Sequence, residues 1–293
     1  MIDSYDLVHA YAAHARANGG TLREYSQAVD GSIHGEGTSG DGRRFWRVNV
    51  LAADGQRECI CARAVINAAG LHADGINRAF LNESSFDIMP RMGEFAVLGG
   101  SSLQVPLKHI ILPFPSQRTK GVLLTPTLSG HVLIGPTAVD VAERDARAAR
   151  CDESTAQHLI QFAREKLRVR SCETVVSTYA GLRPATQHQD YVIRAHADKL
   201  WVTVAGIRST GVSASLGIAE YTVQLLHSVL GPLQVSLCSV PCRSPPQSHP
   251  SCLTPFPPEK ARYVPTANTH IWLFLPGCGH ASAPSCAAAA CWR

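Results

Sequence analysis

A chain of 293 residues is long enough for one large α/β unit or for two domains with a sizeable core. With 45% hydrophobic and 17% charged residues, a net charge of +4 and scattered Lys and Arg, the composition is that of a globular protein without the basic footprint of nucleic-acid binding. No apolar run reaches the roughly 18 residues of a membrane span, and residues 1–20 lack the basic-then-apolar order of a signal peptide, so the expected compartment is the cytoplasm, with the mitochondrion as the alternative.

Ser4 can cap a helix whose apolar positions Leu7, Val8, Tyr11, Ala12 and Ala15 keep helical spacing, and Asn18-Gly19-Gly20 ends it. Thr21 to Ala28 reads as a strand, Phe45 to Leu51 as a second and Cys59 to Ala68 as a third, stopping at Ala69-Gly70. The loop before Phe45 contains a literal G-x-G-x-x-G at Gly35, Gly37 and Gly40. That pattern holds phosphate only where a strand precedes it and a helix opens on its last glycine. Here another strand follows, so the stretch is read as a long hairpin loop.

Residues 86–138 carry strand pieces separated by Gly, Pro and Ser, and alternation around the turn LSGH predicts an antiparallel sheet. Asp152 to Arg168 has the period of an amphipathic helix, with Ala156, Leu159, Ile160, Ala163 and Leu167 on one face. Val175 to Ala180 and Tyr191 to Arg194 return to strand. An apolar strand, LWVTVAG, then breaks at the turn GIRSTG, and a helix from about Ser213 to Leu230 ends at Gly231-Pro232. Beyond residue 231 the periodicity vanishes. Cys238, Cys242, Cys252, Cys278, Cys286 and Cys291 lie there at irregular spacing, and Cys59, Cys61, Cys151 and Cys172 show no zinc spacing either, so no metal site is expected; a metal module in the tail is the alternative that chelators would reveal.

Three places can carry chemistry. A strand that stops at glycines and feeds a helix leaves unpaired N–H groups and the positive end of a helix dipole for an anionic or electron-rich ligand. Gly206, Ile207, Arg208, Ser209, Thr210, Gly211 and Val212 form such a turn. Asn67, Ala68, Ala69 and Gly70 are small enough for a ligand to approach the backbone closely, or for tight strand–helix packing. Arg183 offers a planar fork of donors suited to a carboxylate or phosphate, the other reading being an ion pair at a strand end.

Four blocks resemble one family in the right order: AVINAAGLHADGINRA (64–79), PRMGEFA (90–96), GVLLTPTLSGHVLIGPTA (121–138) and the closing stretch with GLRP (181–184) and GIRSTG (206–211). Together they resemble FAD-dependent oxidoreductases of the D-amino-acid-oxidase superfamily, in the branch with glycerol-3-phosphate and L-2-hydroxyglutarate dehydrogenases. The resemblance implies an α/β fold: a partial FAD-binding, Rossmann-like domain with an inserted, mainly antiparallel substrate-domain sheet and a disordered C-terminal tail. The implied segments are 1–80 (FAD-binding domain, later part), 81–199 (substrate domain), 200–231 (closing strand and helix) and 232–293 (disordered extension).

The same resemblance implies FAD as cofactor, held by residues 67–70 and 206–212. Arg183, with Tyr179 and His131, would contact a small anionic substrate. Arg208 would sit near the flavin edge where negative charge builds on reduction. The implied reaction moves hydride from a C–H bond bearing a hydroxyl to flavin, and the electrons pass on to a quinone, another protein or oxygen. Relatives usually carry Asn where His131 stands, and a proline where Thr210 stands. The strand–GxGxxG–helix with which members of the superfamily begin is expected to be absent from this chain. The alternative is therefore a truncated, catalytically silent fragment that does not bind FAD stably.

Overall fold

A computed structural model describes residues 3–35, 44–99, 107–114, 121–166, 175–230, 271–276 and 287–292. The chain divides into two compact units, one comprising Met1–Ser4, Asn67–Arg194 and Thr203–Tyr221, the other Tyr5–Ile66, Ala195–Val202 and Thr222–Arg293.

In the second unit the first helix, α1, spans Ser4–Ala17 and buries no residue fully. It stops as the glycines predict. Gly19 takes a φ of +83°, its N–H donates to the Arg16 carbonyl (3.0 Å) and the Gly20 N–H to that of Ala15 (2.9 Å), which satisfies two carbonyls of the last turn. The strand expected over 21–28 is two strands, β1 (Thr21–Arg23) and β2 (Gln27–His34). Tyr25 separates them at a φ of +53°, and the Ser26 hydroxyl donates back to the Glu24 carbonyl. β3 (Phe45–Leu51) and β4 (Arg57–Ala62) complete a three-stranded antiparallel sheet, β2-β3-β4, with His34 opposite Phe45. The glycine-rich stretch thus joins antiparallel neighbours, with Gly37 and Gly40 outside the described residues. Trp46, Val48 and Val50 alternate into the core. The Trp46 ring meets that of Trp201 at a tilt of 57° with centroids 5.4 Å apart, and its indole N–H donates to the Lys199 carbonyl (2.7 Å).

The third expected strand also divides, because β4 stays in the hairpin sheet while β5 (Val65–Asn67) joins another. That sheet has six strands in the order β1-β13-β14-β5-β12-β11, where β11 is Val192–His196, β12 Trp201–Ala205, β13 Ile271–Pro276 and β14 Ala287–Trp292. β12 is buried at all five positions, as a strand that is apolar but for Thr203 should be when both faces are covered. Within 232–293, the apolar run IWLFLP pairs antiparallel with β1 and β14, and β14 runs parallel to β5. The rest of that tail lies outside the described residues.

The first unit is built on a five-stranded, antiparallel sheet: β6 (Ile88–Leu98), β7 (Leu123–Pro126), β8 (Val132–Gly135), β9 (Val139–Asp140) and β10 (Val175–Thr186). The order is β10-β6-β8-β7, and β9 also pairs with β6. This is the expected hairpin-rich sheet, and the Thr127 N–H to His131 carbonyl bond (2.9 Å) closes the LSGH turn. One face packs Ala96, Leu98, Leu124, Val132 and Ile134 against Leu159 and Ala163 of α3 (Glu153–Lys166). Asp152 caps α3, its carboxylate accepting the Thr155 N–H at 2.7 Å. The helix end expected at 167–168 lies outside the described residues.

After Ala69-Gly70 comes a helix, α2, which spans Ala73–Leu81. Its Asp74 is fully buried and accepts from Arg144 (2.8 and 3.0 Å), Arg78 (3.2 Å) and the backbone N–H groups of Gly75 and Ile88. Arg144 also donates to the Ile88 carbonyl (2.8 Å), so one carboxylate fastens the loop after β9 to both α2 and β6. The last helix, α4 (Gly211–Leu230), begins two residues before the expected Ser213. It buries Ile218, Thr222 and Leu226 at i, i+4 and i+8, while Val212, Leu216 and Val223 are exposed. Among the described residues no helix is long and apolar enough to cross a membrane.

Candidate substrate and cofactor site

Antiparallel register places Tyr179 opposite Phe95, Gly181 opposite Gly93 and Arg183 opposite Arg91. Alternate residues share a face, so these six line one side of the β10–β6 pair, away from α3. The Phe95 and Tyr179 rings stack with centroids 4.8 Å apart and planes 15° from parallel. Phe95 is crowded by Gly135, where an added Cβ would come within 2.6 Å of its ring. At the other end, the Arg183 guanidinium lies across Gly93, its Cζ 2.7 Å from the place a Cβ would occupy there. Above Gly181 a Cβ would meet nothing within 4 Å. The result is a glycine floor with an aromatic stack at one end and a cation at the other.

The two arginines are not equivalent. Arg91 is held by Asp140 through two bonds, at 2.6 and 3.0 Å, and that carboxylate raises its pKa. Arg183 meets no carboxylate among the described residues. Its terminal nitrogens reach only the Thr137 carbonyl, at 3.4 and 3.5 Å. Burial first, then the charge of Arg91, push its pKa down. A guanidinium stays protonated near neutral pH, so Arg183 is a half-buried cation without a counter-ion among the described residues, and an anion relieves that cost. The ion-pair reading of Arg183 does not describe this geometry. Burial likewise pushes the Tyr179 phenol up.

Thr137, the carbonyl anchor, is itself fixed. Its hydroxyl donates to the Glu94 carboxylate (2.8 Å) and accepts from the Glu94 N–H (3.0 Å), while its own N–H donates to the Glu94 carbonyl (3.1 Å). Glu94 is 3% exposed and points to the opposite face of β6 from Phe95.

The two cofactor-type elements are tied together by side chains. Asn67 donates to the Ala73 carbonyl and to Asn77 (both 2.8 Å) and accepts from the Ala69 N–H (3.1 Å). Asn77 donates in turn to Thr203 of β12 (3.1 Å). This buried chain fixes the end of β5 against the strand that runs into GIRSTG. The Asn67 side chain is therefore spent inside the protein, shaping the turn through Ala68, Ala69 and Gly70. Gly70 has a φ of +55° and Gly206 one of +69°, which favour glycine. A Cβ on Gly206 would stand 3.4 Å from Thr186, so β10 runs from the glycine floor into the same turn.

The first N–H groups of α4, from Gly211 onward, have no acceptor within the helix. Thr210 accepts the Ala214 N–H at 3.0 Å, and its hydroxyl meets the Tyr191 phenol. Ser209 and Thr210 are exposed, as is Val212, and Ile207 packs beside Gly211, where a Cβ would stand 3.0 Å from it. The Arg208 guanidinium is turned onto the Gln189 carbonyl. His131 sits apart from Arg183. It precedes Val132, which pairs with Leu98, seven residues along β6 from Arg91 (98 − 91), or roughly 23 Å at about 3.3 Å per residue. Its ring bonds to Ser129 at 2.8 Å.

A family model for FAD dependent oxidoreductases (DAO) matches residues 1–225. The chain belongs to this family. The glycerol 3-phosphate dehydrogenase of Caloramator mitchellensis is 34% identical over 166 residues, which is 56% of this chain and 34% of that protein. The glycerol 3-phosphate oxidase of Mycoplasma pneumoniae is 27% identical over 167 residues, 56% of this chain and 43% of its own. The FAD-bound, dithionite-reduced L-α-glycerophosphate oxidase of Mycoplasma pneumoniae superposes with a TM-score of 0.55 at 24% identity, over 69% of this chain and 50% of that one, which shows a shared fold. The chain thus spans between a third and a half of the length of these relatives.

For a member of the FAD-dependent oxidoreductase family, a positive-φ glycine at the end of β12, a helix start with unused N–H groups and a small-residue turn held by a buried amide chain fit the polar part of a flavin nucleotide. Sequence reasoning passed over Gly93, Phe95, Glu94 and Thr137, although they lie within or beside the blocks that carry the resemblance. The alternation PRMGEFA, with Gly between Arg and Phe at every second position, is the signal that could have marked the floor.

Proposed function

We propose that this chain forms the substrate-binding part, and one wall of the cofactor site, of an FAD-dependent oxidoreductase acting on a small anionic alcohol, with glycerol 3-phosphate or an L-2-hydroxy acid as the substrate. The observation that carries this reading is the uncompensated Arg183 guanidinium beside an open glycine floor. Arg183 receives the phosphate or carboxylate, and Tyr179 walls the carbon chain. The N–H groups of Gly206 to Val212 and the turn at Asn67–Gly70 hold the cofactor, with the charge of Arg208 close by. Bound FAD supplies the hydride acceptor, and a quinone, another protein or oxygen takes the electrons afterwards. His131 is proposed at the outer hairpin, where it would meet only a substrate that reaches well beyond Arg183.

Absorbance spectra of the purified chain, before and after added FAD, test the cofactor half. A flavin spectrum released on denaturation supports it, and a colourless protein that takes up no FAD assigns cofactor binding to a longer chain. Calorimetric titration with glycerol 3-phosphate tests the substrate half. Binding that weakens roughly 10- to 100-fold in Arg183→Ala supports the reading, in line with the strength of charge-assisted hydrogen bonds. Equal affinity in both proteins would overturn it.

A further inference from the structure

We infer that the outer face of the β2-β3-β4 sheet, which carries Arg47, Arg57, Cys59 and Cys61 together, is a thiol modification site where Cys59 exchanges with anionic disulfides of the glutathione kind. Antiparallel register sets this face. Arg47 stands opposite Ser32 and Cys61, Asn49 opposite Asp30 and Cys59, and Leu51 opposite Arg57. Trp46, Val48 and Val50 point the other way, into the core, so the two arginines and two cysteines share the solvent side. Cys59 is an exposed free thiol, and the Arg47 Nε–H donates to its sulfur at 3.5 Å. That bond first, then the charges of the two sulfurs, raise the Arg47 pKa. A cation against sulfur favours the thiolate, which is the form that attacks disulfides. Asp30 is two strands from Cys59, roughly 10 Å, and accepts from the Asn49 amide. Glu58 points to the other side of β4 and pairs with Arg23.

In the exchange, the Cys59 thiolate attacks one sulfur of glutathione disulfide. A bond forms between Cys59 and that sulfur, the disulfide of the reagent breaks, and the second glutathione leaves as a thiolate that takes up the proton Cys59 has lost. Cys61 does not displace the bound group. Two residues apart on one side of a strand, Cβ atoms stand roughly 6.6 Å apart, against about 3.5–4.5 Å in a disulfide, so the adduct persists. Cys151 is the opposite case, because burial, then the charges of Glu94 and Asp152, push its pKa up.

The test exposes the full chain, reduced and freed of reductant, to glutathione disulfide and in parallel to cystamine, a disulfide with a positive charge at each end. Mass spectrometry of the peptides times the adduct at each cysteine. The ratio of the glutathione to the cystamine rate is expected to be roughly tenfold higher at Cys59 than at Cys151, and to shrink in high salt. Arg47→Gln should lower the Cys59 ratio about threefold or more, and Arg47→Lys should keep most of it. Cys61→Ser should leave the Cys59 adduct in place. Equal ratios at Cys59 and Cys151, a Cys59 ratio untouched by Arg47→Gln, or an adduct on Cys61 in place of Cys59 overturns the inference. Resistance of Cys59 to both reagents overturns it as well.

Discussion

The Arg183 guanidinium occupies the space that a side chain at residue 93 would take, its Cζ standing 2.7 Å from the position of a Cβ on Gly93. Gly93→Ala is therefore expected to displace the guanidinium rather than the strand, because the far end of a flexible side chain moves more easily than backbone. Anion affinity should fall about as far as in Arg183→Ala, roughly 10-fold or more, with secondary structure unchanged by circular dichroism. Wild-type affinity in this variant would show that Arg183 binds from some other position.

Asp140 decides how much positive charge the floor carries. Its pairing with Arg91 is exposed and contributes at most about 1 kcal/mol to stability. Asp140→Asn should consequently leave the melting temperature almost unchanged. It should also release Arg91, directly opposite Arg183, to face the ligand. Phosphate esters are expected to gain several-fold in affinity over monocarboxylates, with a steeper dependence on salt. A ratio that does not move would mean that Arg91 is out of reach of the ligand.

Asp74 makes stability depend on pH. Burial raises its pKa, but the bonds from Arg144, Ile88 and Gly75 outweigh that and leave it below the ordinary carboxylate value. A carboxyl group depressed in the folded state stabilises the fold above its unfolded pKa, near 3.9, and the contribution is lost as pH falls through the lower folded value. Denaturant melts between about pH 5 and pH 2 should show this loss, and Asp74→Asn should flatten it. Arg144→Ala, which strips a buried carboxylate of its main partner, is expected to cost about 3 kcal/mol at pH 7.

Thr137 serves both faces of the sheet, holding buried Glu94 with its hydroxyl and Arg183 with its carbonyl. Thr137→Val leaves the carboxylate short of a donor and should cost about 1–3 kcal/mol in urea denaturation. Thr137→Ser restores the hydroxyl and should recover most of the loss. Equal destabilisation by both would point to the threonine methyl instead.

The hairpins of the five-stranded sheet, α3 and the strand–turn–helix around GIRSTG were legible because local pattern and tertiary surroundings agree there. β12 is buried throughout and apolar except for Thr203, and α3 shows its stripe at helical spacing. The misreadings lie where one apolar run serves two sheets. Cys59 to Ala68 looks like a single strand, and only the pairing partners reveal that β4 and β5 part at Arg63. Arg183 stands in a motif that the sequence marks, yet that no carboxylate among the described residues meets it depends on Asp140 pairing with Arg91, which no spacing announces. The small residues after Asn67 suit either close approach of a ligand or tight strand–helix packing, and the partner that the Asn67 side chain takes, Asn77, lies ten positions away on α2.

The Trp46–Trp201 contact has a consequence for the newborn chain. The β2-β3-β4 hairpins close over short distances, but the Lys199 carbonyl that receives the Trp46 indole N–H lies 153 residues downstream. At the usual pace of synthesis, about 5–20 residues per second, Trp46 waits roughly 8–30 seconds on the ribosome before its cover arrives. During that interval a large aromatic side chain, which is 1% exposed once folding is finished, remains open to chaperones and to neighbouring nascent chains.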